Sequence, residues 1–191
     1  MASLLVVTGP PGAGKSTVAA ILASRAEPSV LVTGDDFFGF LARGAIPPWL
    51  PASDRQNEVV TQAAGAAAGR FVAGGFETVY DGVVGPWFLP TFAAATGCDQ
   101  LDYVVLLPTV EQCLDRVASR VGHGFTDAAA TRTMHREFAD ADIDRRHVFV
   151  GGPRESSDAP ESAASVADRI ETARAAGALT FPTPTGRSQN V

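Results

Sequence analysis

The run Gly9-Pro10-Pro11-Gly12-Ala13-Gly14-Lys15-Ser16-Thr17 constrains this chain more than any other stretch. It satisfies G-x-x-x-x-G-K-[ST] in full. The apolar run Leu4–Thr8 precedes it and the helix-compatible stretch Ser16–Arg25 follows it. Glycines permit positive φ and let backbone N–H groups approach an anion with no Cβ in the way. The converging amides form a nest, and the following helix adds its positive end. This places Lys15 for the β- and γ-phosphates of ATP and the Ser16 hydroxyl for Mg²⁺. A bland glycine–proline turn is the alternative, and the flanking strand and helix argue against it.

Composition reinforces the motif. Of 15 Lys+Arg residues, 14 are arginine and the single lysine is Lys15. A planar guanidinium fork and a compact ammonium are not interchangeable at a phosphate cradle. The formal charge of −6 opposes a nucleic-acid partner, which would need a basic face. With 191 residues, 46% hydrophobic and 19% charged, the chain reads as one globular domain over 1–181 with a polar tail at 182–191. Met1 leads almost directly into Leu4-Leu5-Val6-Val7, and no apolar run approaches the roughly 20 residues of a membrane span. The expectation is a cytoplasmic protein without membrane association, with a homodimer entertained as its assembly. Cys98 and Cys113 lack metal-ligand spacing and read as small buried hydrophobes. His123, His135 and His147 recur every twelve residues, on different helical faces, and give no metal site.

Short apolar runs alternate with helical stretches: Leu4–Thr8, Val30–Thr33, Glu77–Tyr80 and Leu101–Leu107, with a long helix over about Asp54–Ala73 and another over Thr109–Val121. Val148–Val150 is expected as a fifth, edge strand and Ala159–Ala176 as a closing helix. This pattern predicts an α/β fold, a three-layer α/β/α sandwich on a parallel sheet of about five strands. A helical lid is expected over about 116–146.

In such sheets ligands sit at the carboxyl ends of the strands. Thr33-Gly34-Asp35-Asp36-Phe37-Phe38 follows the run Val30–Val32. A carboxylate there can take the proton of an attacking hydroxyl and hold that oxygen in line. The alternative is an acidic turn that caps a helix. Tyr80-Asp81-Gly82 ends the next run, so Asp81 is a candidate for the metal or the acceptor, or a structural turn. No glutamate follows it, which argues against a motor-type or AAA-type hydrolytic ATPase. Arg116 and Arg120, then Arg132 and Arg136, each lie four apart, the second pair on a helix that Thr126 is expected to cap. Between the pairs Val121–Phe125 reads as a Gly-punctuated hinge. Arginines on a flap suit neutralisation of a transferring phosphoryl group, whereas salt bridging is the ordinary alternative. Two loops, Ile46–Pro51 and Gly85–Leu89, hold both tryptophans, Trp49 and Trp87, and could wall an acceptor pocket or simply pack. Gln56 and Asn57 add polar groups beside them.

With those residues in place, the chain resembles the small P-loop kinases: shikimate and gluconate kinases, adenylylsulfate kinase, polynucleotide 5′-kinases and chloramphenicol O-phosphotransferase. The resemblance spans most of residues 4–150 and is compatible with an AAA-type ATP-binding annotation. It implies that an Asp at the end of the second strand is the base. Laid against polynucleotide kinases that is Asp35; laid against chloramphenicol phosphotransferase it is Asp36. Asp35, nearer the strand end, is preferred. The resemblance also implies that Arg116, Arg120 and Arg132 contact the nucleotide. No paired arginines of the shikimate-kinase kind occur in the acceptor region, where Arg43 and Arg55 are the only candidates.

The reading that follows is an ATP:alcohol phosphotransferase. Asp35, Asp36, Lys15 and Arg120 form its catalytic set, and Asp36, Phe37, Trp49, Gln56, Asn57, Asp81 and Trp87 surround the acceptor. ATP and Mg²⁺ are its cofactors, and a small neutral hydroxylated molecule, an antibiotic among the options, is the acceptor. The rival is a nucleotide-binding ATPase or switch that uses water. A GTP switch needs N-K-x-D, which a chain with one lysine spent at position 15 cannot supply.

Overall fold

Alternate residues of the first strand feed two cores. In β1 (Leu4–Thr8), Leu4 and Val6 pack on one face of the sheet and Leu5 and Val7 on the other. A strand buried on both faces must lie inside a sheet with helices above and below. The computed structural model describes residues 2–119, 126–150, 153–154 and 157–183. The other strands joining β1 in parallel are β2 (Ser29–Thr33), β3 (Glu77–Asp81), β4 (Gln100–Leu106) and the short β5 (Val148–Phe149), in the order β2-β3-β1-β4-β5. This is the parallel sheet of about five strands that the alternation predicts, with helices on both faces.

Helices α1 (Lys15–Ala23) and α7 (Ala163–Ala175) cover one face, where Val18, Ala19, Leu22, Ala167 and Ile170 meet Leu5, Val7 and Val104. On the other face, α3 (Asp54–Ala73) and α4 (Leu89–Thr96) pack over Tyr80, Tyr103 and Val105. Two helices stand at the carboxyl edge of the sheet: α5 (Val110–Ser119) and α6 (Ala128–Asp140), the latter reaching the second core through Phe138. The short α2 (Gly34–Gly39) follows β2. A two-stranded hairpin, β6 (Pro153–Arg154) with β7 (Ser157–Pro160), precedes α7.

Several expectations need correction. A sixth strand, β8 (Thr180–Pro182), pairs antiparallel with β4, and the Thr183 N–H donates to the Asp99 carbonyl. The polar tail expected from Pro182 therefore begins as sheet. Helix α4, which the sequence reading did not assign, starts at Leu89, the last residue of the expected aromatic loop, with proline at its first turn and Gly97 in the left-handed region closing it. Helix α6 is capped by Asp127, whose carboxylate accepts from the Ala129 and Ala130 N–H groups, and not by Thr126. The closing helix starts at Ala163 behind a Ser162 cap, since the residues before it pair as β7. The hinge Val121–Phe125 and Arg120 lie outside the described residues.

The end of the sheet opposite the P-loop is tied by charge. Arg174 of α7 donates to Asp102 of β4 at 2.7 Å, to Glu77 at the start of β3 and to Ser3. Its neighbour Arg25, at the end of α1, bridges Asp168 and Glu171 of α7. His147 is buried with its Nδ1 2.9 Å from the Tyr103 carbonyl. That bond makes Nδ1 the donor, and burial lowers the imidazole pKa, keeping the ring neutral.

Helix α4 can approach α3 closely only because position 69 has no side chain. A Cβ at Gly69 would fall 1.8 Å from the Thr96 carbonyl oxygen, a backbone atom that cannot swing away. Gly69→Ala should cost about 3 kcal/mol through overpacking. At 2–4 °C per kcal/mol, that lowers Tm by roughly 6–12 °C in calorimetry. Gly39, with nothing within 4 Å of its virtual Cβ, provides the control. An unchanged Tm in Gly69→Ala would contradict this packing.

Candidate functional site

The loop between β1 and α1 turns on three glycines with positive φ: Gly9 (143°), Gly12 (79°) and Gly14 (95°). Their lack of side chains is also a packing requirement. A Cβ at Gly9 would sit 2.2 Å from the Leu106 carbonyl oxygen, and one at Gly12 2.2 Å from that of Cys113. The loop is thus pressed against the end of β4 on one side and α5 on the other. Gly14 caps α1 in the left-handed conformation, and the Val18 N–H donates back to its carbonyl. Ala13 N–H closes a turn onto the Pro10 carbonyl, and the Lys15 ammonium donates to that same carbonyl at 3.1 Å. Ser16 and Thr17 are exposed in the first turn of α1, and Pro11 is partly exposed beside the buried Gly12 and Ala13.

Arg116 of α5 reaches this loop. Its guanidinium donates to the Gly12 and Ala13 carbonyls, each at 3.3 Å. Beside it a cavity of about 410 Å³ opens between α1, α5 and α7, lined by Gly14, Thr17, Gln112, Arg116, Phe149 and Arg169 among others. The Arg169 guanidinium lies 5.3 Å from the Phe149 ring centroid, and Glu161 holds it from behind at 2.7 Å. Arg132 is exposed on α6 and does not line this cavity; Arg120 lies outside the described residues. Cys113 is a buried thiol whose pKa desolvation pushes up to about 11 despite nearby Arg116 and Lys15. It is no nucleophile.

Strand register brings the acids to the same edge. Asp81 is paired with Val7 of β1 on one side and with Thr33 of β2 on the other. Asp35 and Asp36 then follow Thr33 in the first turn of α2, both exposed, while Asp81 is buried. Two strand spacings of about 4.8 Å separate β2 from β1, so the segments leaving these two strands start roughly 10 Å apart. The segment after Asp81 is anchored twice. The Val84 N–H donates to the Thr8 hydroxyl, and the Tyr103 hydroxyl donates to the Val84 carbonyl, both at 2.8 Å. The Tyr80 phenol is driven well above its ordinary pKa by burial first and then by the charges of Asp35 and Asp81.

Of the candidate acceptor residues, Gln56 and Asn57 hold the Trp49 loop. The Gln56 amide accepts from the Ile46 N–H and donates to the Ile46 carbonyl, both at 2.8 Å. Asn57 donates to the Pro48 carbonyl at 2.7 Å and to the Ser53 hydroxyl at 2.9 Å. Only an NH₂ can face that carbonyl, so the other atom is the oxygen, and this Oδ1 is buried without a hydrogen-bond partner among the described residues. Phe37 packs on the core and meets Phe40 edge-on at 5.4 Å, leaving Phe40, the residue that follows α2, 74% exposed. Trp49 is exposed in its loop. Trp87 covers the face of Gly85, 5.2 Å from the Phe138 ring.

The sequence reading missed Thr8, Tyr80, Tyr103, Gln112, Phe149 and Arg169. Only Tyr80 left a local trace, lying next to Asp81-Gly82 just as Asp35 lies next to Gly34.

The family profile described as AAA domain matches residues 4–141, which include the phosphate loop, both acid segments and Arg116. The chain belongs to the AAA-domain family. The missing glutamate had argued against an AAA-type ATPase; membership in this AAA-domain family stands, with Gly82 after Asp81. No curated protein sequence matches the chain. Among solved structures it is similar to the tunicamycin resistance protein of Deinococcus radiodurans (TM-score 0.66, 14% identity, 96% of this chain and 99% of that one). A sugar kinase from a Janibacter species gives 0.65 at 17% identity, covering 94% and 95%. A gluconokinase from Sinorhizobium meliloti gives 0.60 at 18%, covering 92% and 93%. At these identities the likeness establishes the fold, that of small P-loop kinases. No described helix is long and apolar enough to cross a membrane.

Among the described residues no group of three or more His, Cys, Asp or Glu could hold a metal by itself. Mg²⁺ keeps several waters and takes few protein ligands beside phosphate oxygens. The exposed Ser16 hydroxyl and the Asp81 segment fit such a role. A methyl at Gly12 would force alanine to φ +79° against the Cys113 carbonyl. At about 1–3 kcal/mol for the strain, Gly12→Ala should weaken MgATP binding by roughly 5- to 150-fold. Calorimetric titration checks this; unchanged affinity would contradict the cradle.

Proposed function

We propose that this protein is an ATP-dependent phosphotransferase that moves the γ-phosphoryl group to a hydroxyl of a small molecule. The observation that carries it is the register pairing Asp81 with both Val7 and Thr33. It supports the reading because the segments that leave β2 and β1 start about two strand spacings apart, room for a γ-phosphate and an attacking hydroxyl between them.

In this reading the amides of Gly9–Thr17 and the Lys15 ammonium hold the triphosphate, with Lys15 exchanging the Pro10 carbonyl for phosphate oxygens. Ser16, with Asp81 through water, would hold Mg²⁺, which supplies charge neutralisation on the β- and γ-phosphates. The purine and ribose fit the cavity beside Arg116, where the Arg169–Phe149 pair gives a flat wall. The Asp35 carboxylate orients the acceptor hydroxyl and takes its proton. The new bond joins that oxygen to the γ-phosphorus, the β–γ bridging bond breaks, and ADP leaves. Asp35 is favoured over Asp36 as the residue nearer the end of β2. Arg120 and Arg132 remain proposed contacts to the transferring phosphates.

The acceptor reads as a neutral molecule with an apolar portion, an antibiotic among the options. Phe40, Trp49 and Trp87 expose aromatic surface on the segments that follow β2 and β3. Arg55 nearby is already paired with Glu58. The unpartnered Asn57 oxygen could accept a hydrogen bond from such a molecule or from water.

ADP release from MgATP, followed with a panel of polyols, sugars and hydroxylated antibiotics, tests the reading. At least one acceptor should raise turnover above the water background. Asp35→Asn should then lower transfer by about 10²–10⁴-fold with little change in ATP affinity, and Asp36→Asn should have a much smaller effect. If no acceptor exceeds water, the hydrolytic reading takes its place.

A further inference from the structure

Tyr80 is a buried titratable group that phosphoryl transfer leaves without a task. Its ring is 4% exposed and lies 4.6 Å from Phe92 of α4, which backs it. Its hydroxyl oxygen fills the space of two absent side chains at once. A Cβ at Gly34 would be 2.4 Å from this oxygen, and a Cβ at Gly82 would be 2.7 Å from it. Gly34 opens α2 immediately before Asp35, and Gly82 immediately follows Asp81. The phenol is therefore wedged between the two backbone segments that carry the acids.

We infer that Tyr80 is a positioning residue whose hydroxyl spaces the Asp35 segment from the Asp81 segment, and so sets where the Asp35 carboxylate stands over the phosphate cradle. The inference rests on the role proposed for Asp35. The buried ring, backed by Phe92, acts as a fixed spacer. Neither glycine can then gain a side chain without displacing the phenol or the segment that carries an acid.

A size-swap experiment tests it. In Gly34→Ala the new methyl meets the phenol oxygen, and something must give by roughly 1 Å to restore ordinary contact. A displacement of that size can cost on the order of 10²-fold in kcat, and KM for MgATP should stay nearly constant because the phosphate loop is untouched. Tyr80→Phe should lower kcat less. Combining the two should recover part of the loss, since removing the oxygen leaves a ring carbon at 3.0 Å and the Gly82 Cα at 3.2 Å as the nearest neighbours. Hydrogen exchange of the α2 amides gives a second readout that needs no acceptor: faster in either single variant and slowed again in the double. Wild-type kcat and α2 exchange in Gly34→Ala, or a double variant as impaired as Gly34→Ala by both measures, would overturn the inference. So would wild-type α2 exchange in Tyr80→Phe, which decides the matter if Gly34→Ala fails to fold. Loss of transfer in Asp35→Asn is read separately, so failure of the Asp35 role is distinguished from failure of the spacer.

Discussion

Two carbonyl oxygens govern the phosphate loop. The Leu106 carbonyl, at the end of β4, lies where a side chain on Gly9 would be, and the Cys113 carbonyl in α5 lies where one on Gly12 would be. Backbone pressed on backbone leaves no soft rotamer to absorb an error, so the positive φ values of the loop are fixed by β4 and α5 as well as by the glycines. Arg116 then occupies the Gly12 and Ala13 carbonyls. The cradle is prepared before any anion arrives, and binding energy need not be spent on ordering it. The rest of the sheet, including the Arg174 ties at its far end, keeps β1 and β4 in the register this clamp requires.

The acid side is organised by the same logic with a side chain in place of a carbonyl. Thr8 and Tyr103 pin Val84, so the chain leaving β3 cannot drift from the end of β1. Tyr80 fills the gap between that chain and α2. Phosphoryl transfer asks the protein for little covalent chemistry and much positioning. A rigid ring backed by Phe92 is suited to that demand, and it links a core residue to the placement of the candidate base.

Much of this was legible in the sequence because it is local. The phosphate loop declares itself through fixed glycine spacing, and the strands through continuous apolar runs that only a two-face burial explains. Asp35 and Asp81 were visible as acids at strand ends. What escaped notice was non-local or short. Strand β8 is three residues whose meaning depends on β4, far upstream. Helix α4 is eight residues beginning at a proline-bearing turn, and α2 only six. The Gln56 amide looked available for an acceptor, but its partners on Ile46 lie ten residues back in a loop without periodicity. Composition alone could not reveal that the missing side chains of Gly34 and Gly82 are replaced by one phenol from the strand between them.

The most direct measurement is a structure of the protein with Mg²⁺ and a non-hydrolysable ATP analogue. The account predicts that the triphosphate lies in the Gly9–Thr17 loop, with Lys15 moved from the Pro10 carbonyl onto phosphate oxygens and the terminal phosphate facing the Asp35 carboxylate. A terminal phosphate directed away from Asp35, or a nucleotide seated outside that loop, would contradict it.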